Sequence, residues 1–335
     1  MKAFLRAIVP GFLWKKLSRP KRTLVRVVLR ALLRGEDRIA SYFNARELNE
    51  LGLNVSKVSD YYSPLPIVST LEKNRERWFK PSALIGVQWE MDEMKAILED
   101  LVSEYAEEWA TLPSYEETRA KAFGEGFTPL DAFILYCYIR KLKPKNYLEV
   151  GAGISTYYCS LAASQNAEAG HPLCVTCIDP YPAEMLCTIR GIEIQKKEVQ
   201  DVGLPAFETL QAGDVFFIDS THVVKTDGDV PYLFLEVLPR LGRGVFVHIH
   251  DIPFPYNVPY PPDTWIFGRD WPCFWTEAML LQALLCNSVA YKLRLSLPML
   301  RYFDEDYLRA KIPGYDGFAK SHQDTFSSVW IEKVQ

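Results

Sequence analysis

Histidine is scarce in this chain, with five among 335 residues. Any metal site or general base built on imidazole must therefore draw on His171, His222, His248, His250 or His322. Cysteine occurs seven times, an odd number with no regular spacing, so no disulfide framework is indicated and a reducing cytoplasm fits best. The lone C-x-x-C, Cys174 and Cys177, falls in an apolar run that reads as a strand. Residues three apart on a strand point to opposite faces, so both are expected as buried core thiols and not as zinc or redox ligands. Net charge is low too, formally -4, which leaves no global signature of a nucleic-acid partner. Internal repeats and low-complexity segments are absent.

Charge of one sign is missing from the N-terminus. Residues 1–34 carry ten lysines and arginines and no acid. Arg6 interrupts the apolar run and no A-x-A site follows, which argues against a secretory signal. The segment is also too short and too charged to span a bilayer. It reads either as a basic helical arm packed on the body or as an amphipathic helix making peripheral contact with an anionic membrane surface.

Elsewhere, 48% hydrophobic residues suffice for a sizeable core. Three parts are expected: a basic, partly helical arm over residues 1–60, a helical cap segment over 61–127, and one catalytic domain over 128–335. In the cap, Met91, Met94, Ile97, Leu98, Leu101, Tyr105 and Trp109 recur at helical spacing. Thr128 as N-cap, Pro129 in the first turn and Asp131 beside it announce the next helix.

From there strands and helices alternate. "NYLEVGAG", "PLCVTCIDP", "IEIQKKEV", "DVFFIDST" and "GVFVHIHD" read as strands with helical segments between them. This pattern predicts an α/β fold, a doubly wound parallel sheet with helices on both faces. "YKLRLSLPML" and "FSSVWIEKV" read as two more strands, joined by a short connection and paired antiparallel.

The turn "YLEVGAGISTYY" carries the first chemistry. Gly151 and Gly153 leave room for a ligand against the backbone, and a helix N-terminus follows. A dinucleotide fingerprint wants a third glycine where Thr156 stands. Glu149, in an otherwise apolar strand, would repel a pyrophosphate and suit an amine-bearing ligand. Asp179, ending the second strand, suits ribose hydroxyls. These departures argue against a nicotinamide-dependent oxidoreductase, the competing enzyme class. A non-catalytic scaffold at a membrane surface is the remaining alternative.

"EVGAGIST", "IDPYP", "VQDV" and "GDVFFIDSTHVVKTDGDVPYLFLEVLPRLGRGVFVHIHDIPFP", in that order, resemble class I S-adenosylmethionine-dependent methyltransferases, and more narrowly the methyltransferase domain 24 type. The resemblance implies a Rossmann-like, seven-stranded sheet with the last strand antiparallel. It places Gly151 and Gly153 under the methionine part of S-adenosylmethionine and Glu149 near its amino group. It also puts Asp179 on the ribose, and Gln200 and Asp201 near the adenine.

"FFIDSTH" and "VHIHD" end two successive strong strands, so Asp219, His222, His250 and Asp251 are expected to converge on the ligand crevice. His248 lies about 7 Å further back along its strand and reads as a structural hydrogen-bonding residue. Resemblance to metal-dependent O-methyltransferases implies a divalent metal, Mg or Mn, on Asp219, His250 and Asp251, with His222 as general base. An imidazole among the ligands is unusual for magnesium, so three alternatives stay open: His250 stands behind the ligands, the metal is softer than magnesium, or there is none. The expected reaction is methyl transfer to a hydroxyl of a small-molecule or glycan-type acceptor. The proline- and aromatic-rich run from Pro253 to Trp275 reads as an acceptor wall or lid, or as a loop packed on the N-terminal segment.

Overall fold

The computed structural model describes residues 45–335, except 51, 53, 55, 57, 59, 125 and 319–325. The basic arm of residues 1–34 lies outside these. The chain divides into two compact units at Arg75 and Glu76. The first contains the short helices Ala45–Glu50 and Val68–Lys73.

The second unit is built on one seven-stranded sheet: β1 Asn146–Val150, β2 Cys174–Ile178, β3 Ile192–Gln195, β4 Val215–Ile218, β5 Phe246–Ile249, β6 Tyr291–Ser296 and β7 Val329–Lys333. The order is β3-β2-β1-β4-β5-β7-β6, and β7 runs antiparallel to both of its neighbours. The doubly wound α/β class and the antiparallel last strand are therefore as expected. All four residues of β4 are fully buried, which explains why that strand reads as an uninterrupted apolar run. Strand order reverses between β1 and β4, and the crevice at their carboxyl ends is where such sheets bind ligands.

The principal helices are α1 Met91–Trp109, α2 Tyr115–Ala120, α3 Pro129–Leu142, α4 Ile154–Glu168, α5 Glu277–Leu285 and α6 Leu297–Lys311. α1 buries Met94, Leu98, Leu101, Val102 and Tyr105, the face its apolar spacing marks out. α3 begins as its sequence dictates: the Thr128 hydroxyl accepts from the Asp131 amide, and Pro129 needs no donor partner in the first turn. Between β4 and β5 the helix Asp229–Tyr232 passes into a π turn over Leu233–Val237.

Three local expectations are corrected. The strand expected over 291–300 stops at Ser296, whose hydroxyl caps α6 while Pro298 enters its first turn. The connection from β6 to β7 is consequently long and helical. Cys174 is exposed, because it opens β2 at the bottom edge of the sheet, whereas Cys177 is buried. All seven cysteines are free. No helix among the described residues is long and apolar enough to cross a membrane.

Candidate active site

Sheet hydrogen bonds continue one residue beyond the strands and align the site. The Gly151 amide donates to Ile178 O (2.9 Å), Asp219 to Val150 O (2.9 Å) and His250 to Ile218 O (3.0 Å). Gly151, Asp219 and His250 thus stand side by side at the carboxyl edge. Gly151 has φ +83°, and a Cβ there would lie 2.0 Å from the Asp219 carbonyl oxygen. Glycine is required because β1 and β4 approach each other too closely for a side chain.

Above this edge is a cavity of about 270 Å3, whose lining includes Gly151, Gly153, Asp179, Asp219, His222 and Asp251. Asp179 shapes the glycine turn, accepting from the Ala152 amide (2.8 Å) and the Tyr181 amide (2.6 Å). Glu149 does not line the cavity. It is fully buried and accepts from the hydroxyls of Ser155 and Thr156, the latter at 2.9 Å, in the first turn of α4. Burial pushes its carboxyl up to about 8, against the pull of those hydroxyls. Gln200 donates to Asp227 O (3.0 Å), and Asp201 is exposed. Neither is among the residues that line the cavity.

Two carboxylate–imidazole pairs meet at Asp219 and Asp251. His222 Nδ1 is 2.8 Å from Glu277 Oε2, and its Nε2 is 3.4 Å from both Asp219 Oδ1 and Asp251 Oδ2. The other pair is inverted. His250 Nε2 is 3.2 Å from Asp131 Oδ2, and its Nδ1 lies 3.6 Å from Asp219 and 3.7 Å from Asp251. That Nδ1 is buried with no hydrogen-bond partner among the described residues. Burial opposes protonation of His222, but Asp219, Glu277 and Asp251 outweigh it and hold the imidazole well above its usual range. Burial likewise opposes ionisation of Asp219, and the neighbouring His250 and His222 overcome it.

Backbone geometry holds these groups from several elements. The Thr276 and Glu277 amides both donate to His222 O, at 2.8 and 3.1 Å, tying the β4 loop to the start of α5. His222 (φ +60°) and Asp251 (φ +57°) both occupy the left-handed region. That conformation is costly for residues with side chains and persists where surrounding structure enforces it. Asp131, fully buried, accepts from the amides of Ser327 and Ser328 as well as from Thr128, and so joins α3 to the entry of β7.

His248 stands apart. Its ring is stacked between Phe217 and Trp330, with both centroids at 4.3 Å, and Nε2 lies 2.8 Å from Ser328 Oγ. Burial lowers its basicity well below normal, so it is a neutral core residue. Glu277 and Asp131 escaped sequence reasoning. Each occupies the first turn of a helix, where an acid is unremarkable. The clue available was the apolar company of Asp131 in "FTPLDAFILY".

Donor chemistry is compatible with a divalent cation. One oxygen or nitrogen from each of Asp219, His222 and Asp251 lies within 4.8 Å of the others. Both imidazoles have a carboxylate on the far nitrogen, an arrangement that orients metal-binding histidines. A mixed nitrogen and oxygen set suits manganese, iron or zinc better than magnesium.

A second cavity of about 300 Å3 adjoins the first, and Asp251 belongs to both walls. Its other sides come from the proline-aromatic run, including Tyr256, Tyr260, Trp265 and Trp275, and from Arg301, Tyr302 and Glu305 on α6.

Residues 148–252 match the family described as methyltransferase domain. That span runs from β1 past β5 and contains the glycine turn, Asp179, Asp219, His222, His250 and Asp251. Together with this sheet and this turn, the match over residues 148–252 supports a class I S-adenosylmethionine-dependent methyltransferase.

An uncharacterized protein of Archaeoglobus fulgidus is 25% identical over 162 residues, covering 45% of this chain and 72% of that one. Among solved structures, the Streptomyces achromogenes O-methyltransferase TomG, involved in tomaymycin synthesis and bound to SAM, is 12% identical. The match covers 74% of this chain and 92% of that one, with a TM-score of 0.40. An O-methyltransferase from Bacillus cereus in complex with SAH is also 12% identical, covering 80% and 100%, with a TM-score of 0.37.

Proposed function

We propose that the protein transfers the methyl group of S-adenosylmethionine to a hydroxyl of a small-molecule or glycan-type acceptor, with His222 as the general base once positive charge bound beside Asp219 and Asp251 offsets the carboxylates that otherwise keep its ring protonated. One observation carries the reading: His222 Nε2 faces the cavity wall between Asp219 and Asp251, while Nδ1 is held by buried Glu277. An alcohol is a poor nucleophile until its proton leaves. A fixed imidazole within reach accelerates that removal by roughly 10²–10⁴-fold. Alignment of the oxygen with the sulfonium methyl supplies much of the remaining rate.

Cofactor contacts are proposed residue by residue. Gly151 and Gly153 leave space under the methionine part, and Asp179 takes the ribose hydroxyls while holding the turn. Gln200 and Asp201 border the adenine. Glu149 supports the amino-group region indirectly, by fixing the first turn of α4 through Ser155 and Thr156. A divalent cation on Asp219 and Asp251 would take its nitrogen from the orphaned His250 Nδ1 or from His222 Nε2, and His222, which lines the cavity where His250 does not, acts as base where His250 supplies it. When bound, the cation lowers the pKa of an acceptor hydroxyl and fixes its orientation. The match to a methyltransferase family favours this reading over a nicotinamide-dependent oxidoreductase.

The test is single-turnover methyl transfer from labelled S-adenosylmethionine to a library of hydroxylated acceptors, for wild type and His222→Ala. Loss of transfer in the variant with S-adenosylhomocysteine binding retained supports the assignment. Equal rates in the two proteins refute His222 as base.

A further inference from the structure

We infer that the second cavity receives a single uncharged pyranosyl ring, so that the acceptor is a glycoside hydroxyl. This rests on the methyl-transfer reading of the neighbouring crevice. Four observations lead to it, and the first is position. Asp251 lines both cavities, so a group bound in the second presents its edge to the carboxylate beside which His222 Nε2 stands, 3.4 Å away. An acceptor anchored there reaches the reactive zone past Asp251.

Size is the second. About 300 Å3 is at the small end of ligand cavities, room for one ring and its substituents and not for an extended chain.

Shape is the third. The Trp265 and Trp275 rings are 4.9 Å apart and inclined by 42°, and those of Tyr256 and Tyr260 are 4.9 Å apart at 34°. Tyr302 meets Tyr256 nearly edge-on, at 85°. None of these three pairs is parallel. A chair-shaped ring carries C–H bonds on both sides at differing inclinations, and these hydrogens meet the electron-rich faces of tilted aromatics.

Polarity is the fourth. The wall on α6 offers one cation and one anion, Arg301 and Glu305, joined at 3.2 Å. The pair leaves little net charge, so it gives no strong pull to a phosphate or carboxylate. The Arg301 guanidinium is also held over the Phe326 ring at 5.1 Å, and its two terminal nitrogens have no partner among the described residues. A fixed fork of donors beside an acceptor carboxylate matches vicinal hydroxyls, which both donate and accept.

The experiment is saturation-transfer NMR on the full chain with saturating S-adenosylhomocysteine. The probes are methyl α-D-glucopyranoside, methyl α-D-mannopyranoside, methyl α-L-rhamnopyranoside, catechol and glycerol phosphate, followed by methyl-transfer assays on whatever binds. The inference expects at least one glycoside to bind and be methylated. Trp265→Ala and Arg301→Leu should each weaken that binding at least about tenfold while S-adenosylhomocysteine affinity stays within about twofold of wild type. Binding of catechol or glycerol phosphate with no glycoside bound overturns it, as does binding of none of the probes. If the protein takes no S-adenosylhomocysteine, the methyl-transfer reading fails by itself. Glycoside binding that is lost in Trp265→Ala would then still support the ring site.

Discussion

His222 Nδ1 lies 2.8 Å from Glu277 Oε2, and both side chains are buried. The carboxylate fixes which imidazole nitrogen faces the cavity and stabilises the charge the ring gains when it accepts a proton. Glu277→Gln keeps the shape and removes that charge. Turnover should fall by roughly 10²-fold with little change in the KM for S-adenosylmethionine. The pH–rate profile should shift as well, which a merely structural residue would not cause. Steady-state kinetics across pH for wild type and variant check this.

The Asp131–His250 pair concerns stability. It is fully buried, and Asp131 also accepts the amides that open β7. Asp131→Ala strands a buried imidazole and frees two amides, so it should destabilise by about 3–5 kcal/mol. Urea unfolding measures it. In the double variant with His250→Ala the losses should fall short of additive, because the two side chains share one interaction.

Glu149 predicts a pH dependence of definite sign. Its carboxyl is raised by burial from 4.5 to about 8 in the folded chain. Between those values the native state holds a proton that the unfolded state has released. The stability associated with this group is therefore complete below about 4.5, declines by about 1.4 kcal/mol per pH unit above it, and levels off beyond about 8. Glu149→Gln keeps the hydroxyl contacts and cannot titrate. The stability difference between the two proteins, measured by chemical denaturation from pH 5 to 9, should drift in favour of the variant as pH rises.

A cation prediction follows from the orphaned His250 Nδ1 and the two carboxylates. Manganese binding, read by electron paramagnetic resonance, should weaken at least about tenfold in Asp251→Ala and in Asp219→Ala. Chelation should lower turnover of wild type, and added manganese should restore it. Wild-type protein that binds no manganese and is indifferent to chelation would remove the cation from the account.

Much of this architecture was legible from pattern. The central strands are buried on both faces, so β4 and β5 announce themselves as apolar runs, and the glycine turn is marked by residues that tolerate close approach. Asp219, His222, His250 and Asp251 could be grouped because neighbouring strands in a parallel sheet end at one edge. Asp131 and Glu277 could not, since each reaches the site from a helix remote in sequence. Local spacing carries no information on such contacts. The end of β6 was misread for a different reason: "LSLPML" is apolar apart from its serine, and only Ser296 as cap and Pro298 in the first turn distinguish helix from strand.

S-adenosylhomocysteine binding by calorimetry tests the central claim most directly. Wild type should bind one equivalent. Gly151→Ala, whose Cβ would meet the Asp219 carbonyl at 2.0 Å, should bind at least about tenfold more weakly. Asp179→Ala, which frees the Ala152 and Tyr181 amides without that clash, should do likewise while remaining folded by circular dichroism. Folded wild type that gives neither heat nor thermal shift, or two variants that bind as wild type does, would contradict the account.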